Sequence, residues 1–283
     1  MNPSPKHNKY FKAESGFTLI EIIIVIVVLS VLSIGSAKFI SFSAQGYVDT
    51  VRRSGLASSA SIVNEKISRM VRDSLPGSVR VNATQDCLEF VPVVAASRYV
   101  QAPIVGYPVS QSEVHAVPVD TALAQAGYLA IYPVTEDINE IYDGTTSPGI
   151  ISNNTASVTG TSNGASVFTF DGGATFQYSQ GSPQKRLFIT DTPVAFCQDG
   201  GNLFFYRNYG FVGDIVNLAA ALPSTIPNRL LVANEIQADS VVFSILEASL
   251  RRNAIVAYEF EFENSVSNET LVINQEVQIR NVP

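Results

Sequence analysis

The sequence predicts an α+β protein, with one long amino-terminal helix packed against the antiparallel β-sheets of a second, larger part. Three observations predict it. An apolar run stands near the start, a helical apolar period continues beyond it, and from residue 78 the pattern changes to short β-rich runs divided by Gly, Pro and Asn. At 283 residues, 46% hydrophobic and 15% charged, with mean hydropathy +0.18, the chain can bury a sizeable core and does not resemble a disordered segment. A formal net charge of −7 gives no phosphate-seeking surface, which argues against nucleic acid as a partner. Two Cys and two His with no C-x-x-C pair exclude a four-thiolate zinc site and haem attachment.

The helix begins with a polarity step. Residues 1–16 are polar and carry Lys6, Lys9 and Lys12 against Glu14. Residues 17–37 read FTLIEIIIVIVVLSVLSIGSA, with one formal charge, before Lys38. As a helix this run covers about 31 Å, the hydrocarbon thickness of a bilayer. Basic residues ahead of the span favour a cytoplasmic amino terminus and an exported carboxy-terminal bulk. Glu21 sits in the first turn of this span, where a carboxylate costs less than the roughly 2.5–3.5 kcal/mol of a central acid. Two readings stay open for it: a carboxylate reaching the headgroup region, or one held for a cationic partner.

Beyond the span, Ala44, Val48, Val51, Gly55, Ser59, Ile62, Lys66/Ile67 and Met70/Val71 fall on one stripe at nearly 3.6-residue spacing. The spacing predicts one helix over residues 17–75, its second half docking this stripe, with a stop at Pro76-Gly77. A break near Gly46 is the alternative. Residues 76–283 form the β-rich domain. Strands are predicted at 78–82, 87–94, 128–134, 166–170, 174–179, 186–190, 194–198 and 202–207. A closing meander is predicted at 240–249, 254–263 and 270–280, turning at Arg252-Asn253 and Ser267-Asn268. The small, polar stretch 143–166 reads as a flexible excursion.

No catalytic motif stands out: H-E-x-x-H, G-x-S-x-G, G-x-G-x-x-G and G-x-x-x-x-G-K-[ST] are all missing, and no cofactor is implied. The acidic group Glu136, Asp137, Glu140 and Asp143 offers calcium-binding oxygens, but its spacing does not fit an EF-hand loop and it reads as a solvated acidic loop. Arg251-Arg252 reads as a hairpin tip. Cys87 and Cys197 lie in or at the end of strand runs, and in an exported domain they would meet an oxidising compartment. A bridge between them is expected, with two buried free thiols as the alternative.

The string Gly16-Phe17-Thr18-Leu19-Ile20-Glu21, abutting the apolar span and following a short basic leader, closely resembles the type IV prepilin signal. The resemblance implies that prepilin peptidase cuts between Gly16 and Phe17 on the cytoplasmic side and methylates the new amine of Phe17. It also implies that Glu21 pairs with the corresponding amine of a neighbouring subunit during assembly. Each charge alone is costly in hydrocarbon and the pair is less so, so the pairing favours one axial stagger between helices. Loss of a leader with three Lys and one Glu leaves the remainder at formal charge −9. The partners implied are prepilin peptidase, other pilins or pseudopilins, and the assembly platform of the bacterial inner membrane.

Residues 186–206 and 240–283 look more loosely like the large minor pilin-like proteins. These include the J-type pseudopilins of type II secretion and, more closely, the MshO group of the mannose-sensitive haemagglutinin pilus. The resemblance implies a non-enzymatic subunit that starts or caps a filament. A membrane-anchored periplasmic enzyme is the rival class, and a glycan-binding tip adhesin, with Tyr206 and Tyr209 as candidate contacts, is a compatible extension.

Overall fold

α1 runs without a break from Leu19 to Arg72 in the computed structural model, which describes residues 16–119, 126–246, 254–264 and 269–279. Gly46 does not interrupt it; the Thr50 hydroxyl donates to the Gly46 carbonyl at 2.7 Å. The chain divides into two compact units between Ser54 and Gly55.

The described part of the first unit is the apolar stretch of α1. Among the described residues this is the one helix long and apolar enough to cross a membrane. Two of its serines bond to the backbone: Ser30 donates to the Ile26 carbonyl and Ser33 to the Leu29 carbonyl, both at 2.7 Å. Hydroxyls closed on the backbone one turn earlier present no open donor to hydrocarbon.

The second unit holds the rest of α1 and all the strands. The five-stranded antiparallel sheet comprises β1 (Arg80–Val81), β2 (Cys87–Phe90), β9 (Val194–Asp199), β10 (Asn202–Tyr206) and β11 (Arg229–Ala233), in that spatial order. Six strands close into a barrel in the order β3 (Val93–Gln101), β4 (Glu113–Ala116), β7 (Ala165–Phe170), β6 (Ala156–Ser162), β5 (Ala126–Ala130), β8 (Arg186–Thr190). A three-stranded meander, β12 (Val242–Leu246), β13 (Ala254–Glu263) and β14 (Thr270–Ile279), completes the unit. Register shifts within β3 and β6 give the bends a ring this small needs. At Gly127 the strands approach so closely that a Cβ would lie 2.8 Å from the Thr190 carbonyl oxygen. The barrel is filled by alternate residues of its strands, among them Val114, Leu129, Phe168, Phe170, Leu187 and Ile189.

The helix ends at Arg72, three residues before the expected 75, and the chain turns at Pro76-Gly77. Ser74 returns its hydroxyl to the Val71 carbonyl at 2.7 Å, and Gly77 takes φ +77, with its Cα side against the Pro133 carbonyl. Above the stop, Leu56, Ala60, Val63, Ile67 and Val71 are buried against residues of both open sheets, including Phe90, Phe196, Phe205, Phe243, Tyr258 and Phe260. Tyr258 adds a polar fastening, its hydroxyl lying 2.7 Å from both Ser68 Oγ and Asn64 Oδ1.

Several expectations need correction. The period of the docked stripe is right, but its phase is one residue off. Gly55, Ser59 and Ile62 are exposed, and Leu56, Ala60 and Val63 take their places in the core beside Ile67 and Val71. Residues 143–166 are not a simple excursion, since they contain β6 and enter β7, paired as a hairpin of the barrel. Residues 174–179 form no strand and make only isolated bridges at Tyr178. β3, β4 and β11 appear where no strand of their extent is predicted. The predicted turns at Arg252-Asn253 and Ser267-Asn268, and the tip Arg251-Arg252, lie outside the described residues.

The two faces of α1 predict different mutational costs. Ile67→Ala should lower unfolding free energy by about 2–5 kcal/mol, while Ile62→Ala should change it by less than about 0.5 kcal/mol, measured by denaturant unfolding. Equal costs would mean that the docked face is wrongly phased.

Candidate functional site

The amino-terminal constellation is built by the helix start. Gly16, Phe17 and Thr18 precede the first helical residue, Leu19, and Phe17 is exposed. Thr18 acts as the cap: the Glu21 backbone N–H donates to Thr18 Oγ1 at 3.3 Å and to the Thr18 carbonyl at 3.1 Å. Thr18-Leu19-Ile20-Glu21 has the Thr-x-x-Glu pattern of a capping box, a signal that could have been read from the sequence and singles out Thr18 beside Glu21. The Glu21 side chain is exposed, one turn into the helix and on its amino-terminal, positive end. Thus Gly16, Phe17, Thr18 and Glu21 stand together in a short segment open to an enzyme or a neighbouring chain.

Away from the domain-docking stripe, α1 keeps a second run of exposed apolar and small side chains. Ala44, Val48 and Val51 in the first unit, and Gly55, Ser59 and Ile62 in the second, are exposed. Arg52 pairs loosely with Asp49 at 3.5 Å and Arg69 with Glu65 at 3.5 Å, exposed contacts that add little stability.

Cys87 and Cys197 stand directly opposite each other in β2 and β9, with a Cα–Cα distance of 4.1 Å, and are joined by a disulfide. Both are buried, among Ala195, Tyr206 and Leu218. A crosslink spanning 110 residues contributes about 4–5 kcal/mol in the chain-entropy account.

The acidic group does not converge. Glu140 accepts from the Thr135 hydroxyl at 2.5 Å, and Asp137 Oδ1 accepts from the Asn139 N–H at 2.9 Å. Asp143 accepts from the hydroxyls of Thr146 and Thr145, which hold its carboxyl below the usual range. Glu136 lines a separate cleft of about 880 Å³. Among the described residues no three His, Cys, Asp or Glu side chains group to hold a metal ion. Tyr206 and Tyr209 are not the exposed pair a glycan surface would need. Tyr206 is buried, and Tyr209 donates its hydroxyl to Glu89 Oε1 at 3.0 Å.

Sequence reasoning missed the charge cluster to which Tyr209 belongs. Arg80 and Glu89 face each other across β1 and β2, nearly fully buried, with Arg80 Nε donating to Glu89 Oε2 at 2.6 Å. Three further guanidinium N–H groups donate to Asn139 Oδ1 at 2.9 Å and to the carbonyls of Gly213 at 2.9 Å and Val212 at 2.5 Å. The guanidinium also lies 3.5 Å over the Tyr142 ring. Burial pushes the Glu89 carboxyl above the ordinary range, opposed by the Arg80 charge and by hydrogen bonds from Arg80 and Tyr209. Burial, and then the Glu89 charge, push the Tyr209 phenol well up. The cluster ties β1 and β2 to residues 139–142 and 209–213; a structural role accounts for it.

A family model described as the prokaryotic N-terminal methylation motif matches residues 11–37. The match covers the prepilin-type signal and the start of the apolar helix and supports a type IV pilin-like protein. Such a signal implies processing by prepilin peptidase and assembly with other pilins, and the apolar helix fits a membrane anchor. No curated protein and no solved structure matches the chain.

Two outcomes follow from these contacts. Arg80→Met should cost about 3–5 kcal/mol near neutral pH by leaving a carboxylate buried without its cation. Because the folded-state pKa of Glu89 is already raised, and losing Arg80 raises it further, the deficit should be smallest below the ordinary Glu pKa and grow as pH rises through the raised value. Denaturant unfolding across pH checks it. Separately, Cys87 and Cys197 should resist alkylation in denaturant until a reductant is added, as read by mass shift.

Proposed function

We propose that the chain is a non-enzymatic minor pilin of the mannose-sensitive haemagglutinin type, processed between Gly16 and Phe17, that helps to initiate or cap a filament. The carrying observation is the Gly16–Glu21 signal set directly against an apolar helix, matched by the methylation-motif model. Processing would create a methylated ammonium on Phe17 four residues from Glu21, and a neighbouring subunit's ammonium would neutralise that carboxylate. Helices would then leave lipid for a bundle of similar helices, with the ion pair choosing the axial offset.

Other features fit this reading. Within the second unit, exposed Gly55, Ser59 and Ile62 offer a helix face distinct from the one occupied by the chain's own sheets. The small side chains Ala44, Gly55 and Ser59 permit close helix approach. The β-rich unit, with its barrel and two sheets, is bulky for a subunit repeated at every lattice position, whereas a terminal position leaves room for it. In this arrangement the amino terminus is cytoplasmic and the domain periplasmic, where the Cys87–Cys197 bridge is chemically at home.

Terminal sequencing by mass spectrometry, from cells with active prepilin peptidase, should find N-methyl-Phe17; an uncut signal would overturn the proposal. Glu21→Ala should still be cleaved but should yield sharply fewer filaments. Normal filament number with that variant as the only copy would remove the pairing role. Co-purification with long surface fibres, rather than with a short secretion pseudopilus, separates the pilus assignment from the J-type one.

A further inference from the structure

A groove of about 600 Å³ opens where the end of α1 meets the outer face of the barrel. Three guanidinium groups line it, Arg72 from the last turn of the helix, Arg98 from β3 and Arg186 from β8, against one carboxylate, Asp73. Its floor is apolar, with Pro76, Val93 and Phe188. Arg98 and Arg186 are directly opposite in the β3/β8 register. Like charges in that position repel and weaken the strand pair. Gln184 holds both in place: its carbonyl accepts from Arg98 Nε at 3.2 Å, and its side-chain oxygen accepts from Arg186 at 2.5 Å. This concentration of positive charge lies in a protein of formal charge −7, so it stands against the field of the rest of the molecule.

We infer that this groove is an interaction surface for an acidic, partly apolar peptide segment of another protein. The guanidinium forks suit carboxylates, which they bind in paired hydrogen bonds, and the floor of Pro76, Val93 and Phe188 suits the apolar side chains between them. An anionic polysaccharide would meet the arginines but would have no use for the apolar floor. The surface stands apart from Gly16–Glu21 and does not depend on the processing or assembly of the chain.

The test uses the purified full chain in detergent micelles and a fluorescein-labelled ten-residue peptide alternating Glu and Leu, with a Gln/Leu peptide as control. The Glu peptide should bind at least about tenfold more tightly than the control, and increasing salt should weaken it. Arg98→Gln with Arg186→Gln should lose about tenfold in affinity while the chain still unfolds cooperatively. Arg98→Gln alone provides the milder variant if the double one is poorly produced, and should weaken binding in the same direction. Equal binding of the two peptides, or undiminished binding by the variants, would overturn the inference. So would binding of dextran sulfate without binding of the Glu peptide, which would mark a polysaccharide surface.

Discussion

Burial of one helical stripe organises the second unit. Leu56, Ala60, Val63, Ile67 and Val71 contribute modest side chains, and they share one core with aromatic residues from two separate sheets. The five-stranded sheet supplies Phe90, Phe196 and Phe205, and the meander supplies Phe243, Tyr258 and Phe260. Neither sheet could bury its inner face alone, and the helix is the surface on which both close. Ala60 matters for what it lacks: a small residue in mid-stripe lets the sheets come near the helix backbone. The Tyr258 hydroxyl, shared between Asn64 and Ser68, then sets the helix's rotation about its axis, a function that apolar contact performs poorly.

A second constraint is electrostatic. Arg80 and Glu89 leave water together, and the guanidinium meets four acceptors and a ring. Because those acceptors come from segments far along the chain, the cluster fixes two connecting stretches that have little regular structure of their own. A well-packed apolar replacement could be as stable, but it would not specify which loop sits where. The raised pKa of Glu89 follows from this placement and needs no catalytic explanation.

Much of the architecture was legible because it is written locally. The polarity step at Phe17, the stop at Pro76-Gly77 and the alternation in 254–263 are properties of neighbouring residues, and the elements they predict are present. The barrel was not legible because its closure joins β3 to β8, across some ninety residues, and no local pattern names that partner. β6 was missed because Ala156–Ser162 is made of small polar residues with only Ala156 fully buried, leaving almost no alternation to detect. The helix phase slipped because Ile62 is apolar but exposed, so two stripes compete and only the tertiary partners choose between them. At the signal, Glu21 was read as a charge, whereas its backbone N–H also completes the Thr18 cap. Arg80 and Glu89 looked like ordinary strand residues, since charge in a strand does not announce whether it faces water.

The closed ring of β3, β4, β7, β6, β5 and β8 has a consequence for how the chain meets other proteins. An open sheet of six strands would expose two margins of unsatisfied amides, each able to recruit a stranger's backbone. Joining the first strand to the last spends those amides internally, so the bulkiest part of the chain is deaf to nonspecific strand exchange. Topology alone thus removes a route to aggregation, without any change in surface chemistry.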